Sequence, residues 1–305
     1  MKPKSEVSYS FYETLPTTLK SINISGGEPF LRSDLIDIIG VISSQCKEPR
    51  IVISTNGLMP KRIEEQTRKI LESKKDIGVR VSIDGLERIH DRIRGTGGAF
   101  VKAIKSVQIL KSLGIRDLGI AYTAMGHNLT NIPEVYDLAN KLGVEFAIGV
   151  AYDSPIYFNN VGETYHIDFN ELEKQIRYIG YRELKSWDPK RWFRAYFEKG
   201  LVDYCSGRKK LVNCGAAKDF FYLDPFGNVY PCTVLNKKLG NLQDSSFTEI
   251  WNSEQTREAR AYIMKCPYNC WMVCNAAPII KKRLEIPLLW ILWNKLITHL
   301  RTREA

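Results

Sequence analysis

The chain has 305 residues, 44% of them apolar and 26% charged, with a formal net charge of +10. These are globular proportions, with enough chain for one large domain or two smaller ones. No run reaches the ~20 apolar residues that cross a bilayer, no Lys/Arg block or recognised motif marks nucleic-acid binding, and Met1–Thr18 lacks the apolar stretch of a signal peptide.

A cytoplasmic location is therefore expected. The positive charge reads first as a solvated surface and second as suited to an anionic partner. Seven cysteines are present, Cys46 alone and six between Cys205 and Cys274. Clustered thiols in a cytoplasmic chain point to metal rather than to disulfides.

From residue 19 to 150, β-branched runs alternate with amphipathic segments. Buried parallel strands are predicted at Leu19–Ser25, Arg50–Ser54, Gly78–Ile83, Leu118–Thr123 and Val144–Val150. Helices are predicted between them: Asp34–Ser44 capped by Ser33, Pro60–Ser73 opened by its proline, Ala99–Leu113 between Gly98 and Gly114, and Pro133–Leu142 closed by Gly143. Such βαβ units build a parallel sheet or barrel, with chemistry at the C-terminal strand ends.

Three loops after successive strands are small, polar and glycine-rich: Ser25-Gly26-Gly27-Glu28-Pro29, Ser54-Thr55-Asn56-Gly57 and Ser82-Ile83-Asp84-Gly85. Adjacent glycines admit close backbone approach to a ligand ammonium, and Glu28 adds charge for it. Ser82 and Asp84 suit ribose hydroxyls, and Arg94 suits a carboxylate. Singly, these read as a tight turn, a capped turn and a surface ion pair. Their order favours a site for a nucleoside and an amino acid.

Ser25–Phe30 resembles the Gly-Gly-Glu-Pro element of radical S-adenosylmethionine (SAM) enzymes. Ser54–Gly57 resembles their third-strand element, and Val81–Gly95 their fourth-strand region with the helix entry after it. The resemblance implies an α/β fold, a partial (β/α)6 TIM-like barrel. It implies SAM held by Gly26, Gly27, Glu28, Pro29, Ser54, Asn56, Ser82, Asp84 and Arg94. It also implies oxidoreductase-type chemistry: reductive cleavage of SAM to a 5′-deoxyadenosyl radical and hydrogen abstraction, with electrons from a flavodoxin- or ferredoxin-type donor. The substrate class is open among peptides, sugar-like alcohols and tetrapyrroles. Candidate acids or bases such as Tyr122, Glu145 and His127 are no more than guesses.

The family's barrel opens with one further strand and a Cys-x3-Cys-x2-Cys loop that holds the catalytic [4Fe–4S] cluster. Here no cysteine precedes Gly26, and Cys46 has no neighbouring cysteine. The first strand is expected to be missing, through N-terminal truncation or through loss of the cluster in a true variant. Truncation is favoured, because a whole structural unit is absent and a sheet edge is left unpaired. No SAM cleavage is expected from the chain as written, and the alternative is a non-catalytic iron–sulfur scaffold.

Beyond residue 152 the βα rhythm stops. A helix capped by Asp168 is predicted over Asp168–Trp187. Cys214 and Cys232 then flank a predicted hairpin turn at Pro225-Phe226-Gly227-Asn228, and Cys266, Cys270 and Cys274 follow at equal spacing. The pattern resembles the SPASM/Twitch domain of radical SAM enzymes, a small α+β unit, as does Gly240-Asn241-Leu242 followed by Phe247 and Trp251. The resemblance implies one auxiliary [4Fe–4S] cluster on Cys214, Cys232, Cys274 and either Cys270 or Cys266. A four-thiolate zinc site is the competing reading. Cys205 reads as a spare thiol.

The expected division is a barrel over 1–200, a cluster domain over 201–278 and a basic helix over 279–305. That helix carries Lys281-Lys282-Arg283 and two tryptophans. It is too short to span a membrane, and either lies in a membrane interface as a peripheral contact or docks on the barrel. Docking is favoured.

Overall fold

The computed structural model describes residues 6–160, 167–208, 214–268 and 270–300, except the side chains of Cys274 and Ile279. Strands β1 (Ser21–Ile24), β2 (Arg50–Thr55), β3 (Gly78–Ser82), β4 (Asp117–Ala124) and β5 (Glu145–Val150) form one parallel sheet in chain order. Between them run α1 (Leu35–Gln45), α2 (Pro60–Ser73), α3 (Glu87–Arg94), α4 (Ala99–Ser112) and α5 (Ile132–Leu142). This is the partial barrel that the βα rhythm predicts.

Alternation within the strands decides the layering. Ile51, Ile53, Val79, Val81, Ile120 and Ile148 point to one face and are buried. They belong to one core with Ile39, Ile42, Ile63, Ile70, Val107, Leu110 and Val135 of the helices. Each such side chain contributes about 1.5–3 kcal/mol on burial. The opposite face carries Ser54, Arg80, Ser82, Ala121, Thr123 and Glu145, which are only partly covered or exposed.

At the N-terminal end of that second face, charges interlock. Arg80 Nη2 reaches Asp117 at 2.6 Å and Glu145 at 3.1 Å, Arg50 pairs with Asp117 at 2.5 Å, and Lys190 pairs with Glu145. Burial opposes ionisation of Asp117, but Arg80 and Arg50 outweigh it and hold its carboxyl below the usual range. Gly78 leaves room beside it: a β-carbon there would come 2.7 Å from Asp117 Oδ2 and force that side chain to shift. This ion network occupies one end of the sheet, while the Gly26–Gly27 loop stands exposed at the other.

The element ends differ in places from the sequence reading. Asp34, not Ser33, occupies the cap position of α1, and its carboxylate pairs with Arg32 at 2.8 Å instead of capping. After β5, α6 (Phe169–Lys185) keeps the expected Asp168 cap, whose carboxylate accepts from Glu171 N at 3.1 Å. It forms a hairpin with α7 (Pro189–Cys205), which the sequence reading missed.

A three-stranded antiparallel sheet follows, β6 (Tyr222–Leu223), β7 (Asn228–Tyr230) and β8 (Gly240–Asn241). Its tight turn is held by Asp224, whose Oδ1 accepts from Phe226 N and Asn228 N, both at 2.9 Å. Then come α8 (Phe247–Asn252), α9 (Glu254–Ile263), α10 (Val273–Lys282) and α11 (Glu285–Leu300), the last packed on α6 and α7. Among the described residues, no helix is long and apolar enough to cross a membrane.

Candidate SAM mouth and iron–sulfur cavity

Glu28 brackets the first two loops together. It is buried, its Oε1 accepts from Phe30 N at 3.2 Å and Thr55 Oγ1 at 2.8 Å, and its Oε2 accepts from Asn56 N at 2.7 Å. The sequence reading aimed this carboxylate at a ligand ammonium, whereas here it holds the end of β2 against a one-turn 3-10 helix, Pro29–Leu31. Gly26 and Gly27 are exposed, and a β-carbon on either would meet nothing within 4 Å. Gly26 has φ +137°, which disfavours any other residue. Their backbone is therefore open to a ligand. Pro29 is buried beneath it, and the Ser54 and Asn56 side chains are half-buried nearby.

Asp84 also turns inward. Its Oδ1 accepts from Thr123 N at 2.9 Å and its Oδ2 from Arg94 Nη2 at 2.6 Å. Both residues were assigned by sequence to a ligand, one to ribose and one to a carboxylate, and here they pair with each other. The carboxylate ties the β3 loop to the end of β4, while Ser82 stays half-buried on the concave face.

Two neighbours that the sequence reading did not single out fix this arrangement. Asn128, fully buried, donates to Asp84 O at 3.0 Å and Thr123 O at 2.9 Å. His90 Nδ1 accepts from Asp84 N at 3.1 Å. Burial and then Arg94 push the His90 pKa down, so the ring is neutral and its proton lies on Nε2. Of the guessed bases, Tyr122 is buried with its hydroxyl on Asn128 O, Glu145 lies in the ion network at the far end of the sheet, and His127 is exposed.

Residues 151–160 join this mouth to the cysteines. Tyr157 hydroxyl lies 2.6 Å from Ser25 Oγ, beside Gly26. The Tyr157 ring meets Tyr222 edge-on at 5.6 Å, and Tyr222 faces Tyr230 across the β6–β7 pair at 6.0 Å. Ser154 Oγ donates to Thr233 O, next to Cys232, and Tyr152 hydroxyl lies 3.3 Å from Thr233 Oγ1.

Beyond Thr233, one cavity is lined by Cys214, Cys232, Cys266 and Cys270, with Phe220, Ile263 and Met272 among its apolar walls. Cys232 Sγ accepts from Leu235 N at 3.4 Å, and burial pushes its thiol up. The side chain of Cys274 lies outside the described residues. Cys205, at the end of α7, does not line the cavity, and burial pushes its thiol up to about 11. Among the described residues, no three His, Cys, Asp or Glu side chains converge on one ion.

Two family models match this chain: the Radical SAM superfamily over residues 14–142 and an iron–sulfur cluster-binding domain, SPASM, over residues 214–275. The chain carries a radical SAM domain followed by a SPASM domain.

It is 26% identical over 238 residues to the antilisterial bacteriocin subtilosin biosynthesis protein AlbA of Bacillus subtilis, covering 75% of this chain and 48% of that one. It is 27% identical over 245 residues to the mycofactocin maturase MftC of Mycolicibacterium smegmatis, covering 78% and 60%. The chain thus spans about half to three fifths of these relatives. A solved structure of anSMEcpe with bound AdoMet and the Kp18Cys peptide has a similar fold, with a TM-score of 0.62 at 17% identity, covering 87% of this chain and 80% of that one.

The family implies SAM and iron–sulfur clusters. The open Gly26–Gly27 backbone fits a ligand that offers polar groups to main-chain atoms. The four-thiol cavity fits one auxiliary cluster, which thiolates hold. A SAM-binding cluster finds no ligands here. Cys46, the sole cysteine before Cys205, is buried behind α1 with its Sγ 3.6 Å from Pro16 O.

Proposed function

We propose that these residues form the SAM-binding barrel and auxiliary-cluster unit of a radical SAM enzyme that modifies a peptide. SAM would lie on Gly26 and Gly27, near Ser54, Asn56 and Ser82. Glu28, Pro29, Asp84 and Arg94 act behind it, holding the three loops in register. One [4Fe–4S] cluster would sit on Cys214 and Cys232 together with two of Cys266, Cys270 and Cys274. When bound, SAM supplies the radical chemistry of the family and the cluster supplies an electron port. A flavodoxin- or ferredoxin-type donor would provide electrons.

The observation that carries this reading is the short connection between the two sites. Tyr157 touches the residue before Gly26, and Ser154 binds the residue after Cys232, so a substrate at the mouth lies beside both. The names of AlbA and MftC favour a peptide. No cleavage step is assigned to the 305 residues, since they hold no ligand set for a SAM-binding cluster.

Titrating the anaerobically reconstituted chain tests the ligand classes. SAM should bind saturably, and Fe-coproporphyrin should leave its Soret band unmoved. A saturable Soret shift would transfer the reading to the tetrapyrrole class. Four thiolates with no bound SAM would leave the non-catalytic scaffold.

A further inference from the structure

Helix α11 is apolar on two sides. Its docked side combines polar and apolar contacts: Lys295 Nζ donates to the carbonyls of Leu184 and Ser186, both at 2.8 Å, and lies over the rings of Trp187 and Trp192, while Trp290 meets Tyr196 edge-on at 5.6 Å. Pro287, Ile291 and Thr298 are buried there. A second set of large apolar side chains faces outward. Leu289, Leu292, Trp293 and Leu296 are 71%, 64%, 65% and 56% exposed, with Leu288 and Leu300 beside them. Their spacing makes one continuous stripe on one helix face, about 18 Å long from Leu288 to Leu300. Exposed Trp187, stacked on His299, widens it. Scattered exposed leucines need no explanation, but a stripe of this kind marks an interaction surface.

We infer that this stripe seats the protein on an anionic lipid surface. The charges around it argue for that occupant. Lys281 and Lys282 end α10 and Arg283 precedes α11; all three are exposed, Lys282 pairing with Asp219 and Arg283 with Glu285, and Arg301 and Arg303 follow the C-terminal end of α11 in sequence. Residues 281–305 hold six Lys/Arg against two Glu. Basic ends flanking an apolar face, with tryptophan on it, are what an interfacial helix presents to headgroups and acyl chains. A second copy of the chain is a poor fit. With both ends basic, parallel and antiparallel pairing alike would set positive against positive. The inference is independent of the proposed chemistry.

The test is co-sedimentation of the whole chain with vesicles of phosphatidylcholine alone and of phosphatidylcholine with phosphatidylglycerol. The chain should pellet with the anionic vesicles, with a blue shift of tryptophan emission, and should be released by salt. The triple variant L289S/L292S/L296S, whose substitutions lie on the solvent side, should melt with the parent and bind about tenfold less. Three outcomes overturn the inference. One is a chain left in the supernatant with both vesicles. Another is a variant that pellets like the parent. The third is a parent that light scattering shows to be a dimer, split by the same substitutions.

Discussion

Gly200 of α7 lies directly beneath the indole of Trp271, so close that a β-carbon would come within 2.1 Å of a ring atom. Trp271 Nε1 donates to Phe197 O at 2.8 Å, and its ring stacks on Phe197 at 6.2 Å. Because Trp271 follows Cys270 directly, this contact seats the cysteine loop on the helix that leads out of the barrel. Gly200→Ala should displace the indole, at a cost of about 1–3 kcal/mol from overpacking, and loosen the cluster. Iron per chain after reconstitution, and the half-life of the visible absorption in air, check this. Full retention of both would contradict it.

The cysteines should divide cleanly. Ala at Cys214 or Cys232 should remove most of the iron, and Ala at Cys46 or Cys205 should leave iron content unchanged. Cys266→Ala and Cys270→Ala should each cost iron, because both thiols line the cavity. Iron analysis across the six single variants measures this directly.

Glu28 offers a test of the mouth. A glutamine there keeps the shape but turns one acceptor into a donor that faces donors already bound to the carboxylate, from Phe30, Thr55 and Asn56. Leaving such groups unsatisfied costs about 1–3 kcal/mol each. Glu28→Gln should therefore lower stability and weaken SAM retention about tenfold or more by equilibrium dialysis. Unchanged affinity would mean that the loop is not held through this side chain.

Much of this was written in the sequence. The five strands and four of the five helices between them follow from apolar residues on one strand face and on one helix stripe, which is local information; the short α3 was not predicted from such a stripe. The cysteine cluster stood out because thiols are rare and grouped, but the choice among Cys266, Cys270 and Cys274 depends on side-chain placement that spacing alone does not give. The inward turn of Asp84 was not, because it depends on Arg94, Thr123 and Asn128, residues brought together only by packing. Helix α7 escaped notice although Asp188–Pro189 is a fair start signal, because its basic and aromatic composition hides an apolar face. The β6–β7 hairpin was legible from its Pro225–Asn228 turn, whereas β8 is two residues long and carries no periodicity of its own.

Stability should depend on pH through Glu198. This residue of α7 is wholly buried, and its Oε2 has no hydrogen-bond partner among the described residues. Burial, reinforced by Glu183 and opposed by Arg194 and Arg191, pushes its carboxyl up to about 8 from 4.5. The folded protein thus holds a proton there at neutral pH that the unfolded chain releases. The stabilisation is fully present below the unfolded pKa and is lost as pH rises towards about 8, at about 1.4 kcal/mol per pH unit between them. Denaturant unfolding from pH 5 to 8.5 should show this fall, and Glu198→Gln should flatten it.

The central claim is that a SAM-type barrel is joined to a thiolate-held iron–sulfur centre. Metal analysis of the anaerobically prepared chain, read with electron paramagnetic resonance of the reduced protein, tests it most directly. The account predicts about four irons and four sulfides per chain, with a cluster signal that disappears in Cys232→Ala. One zinc per chain with no iron, or no metal at all, would contradict it.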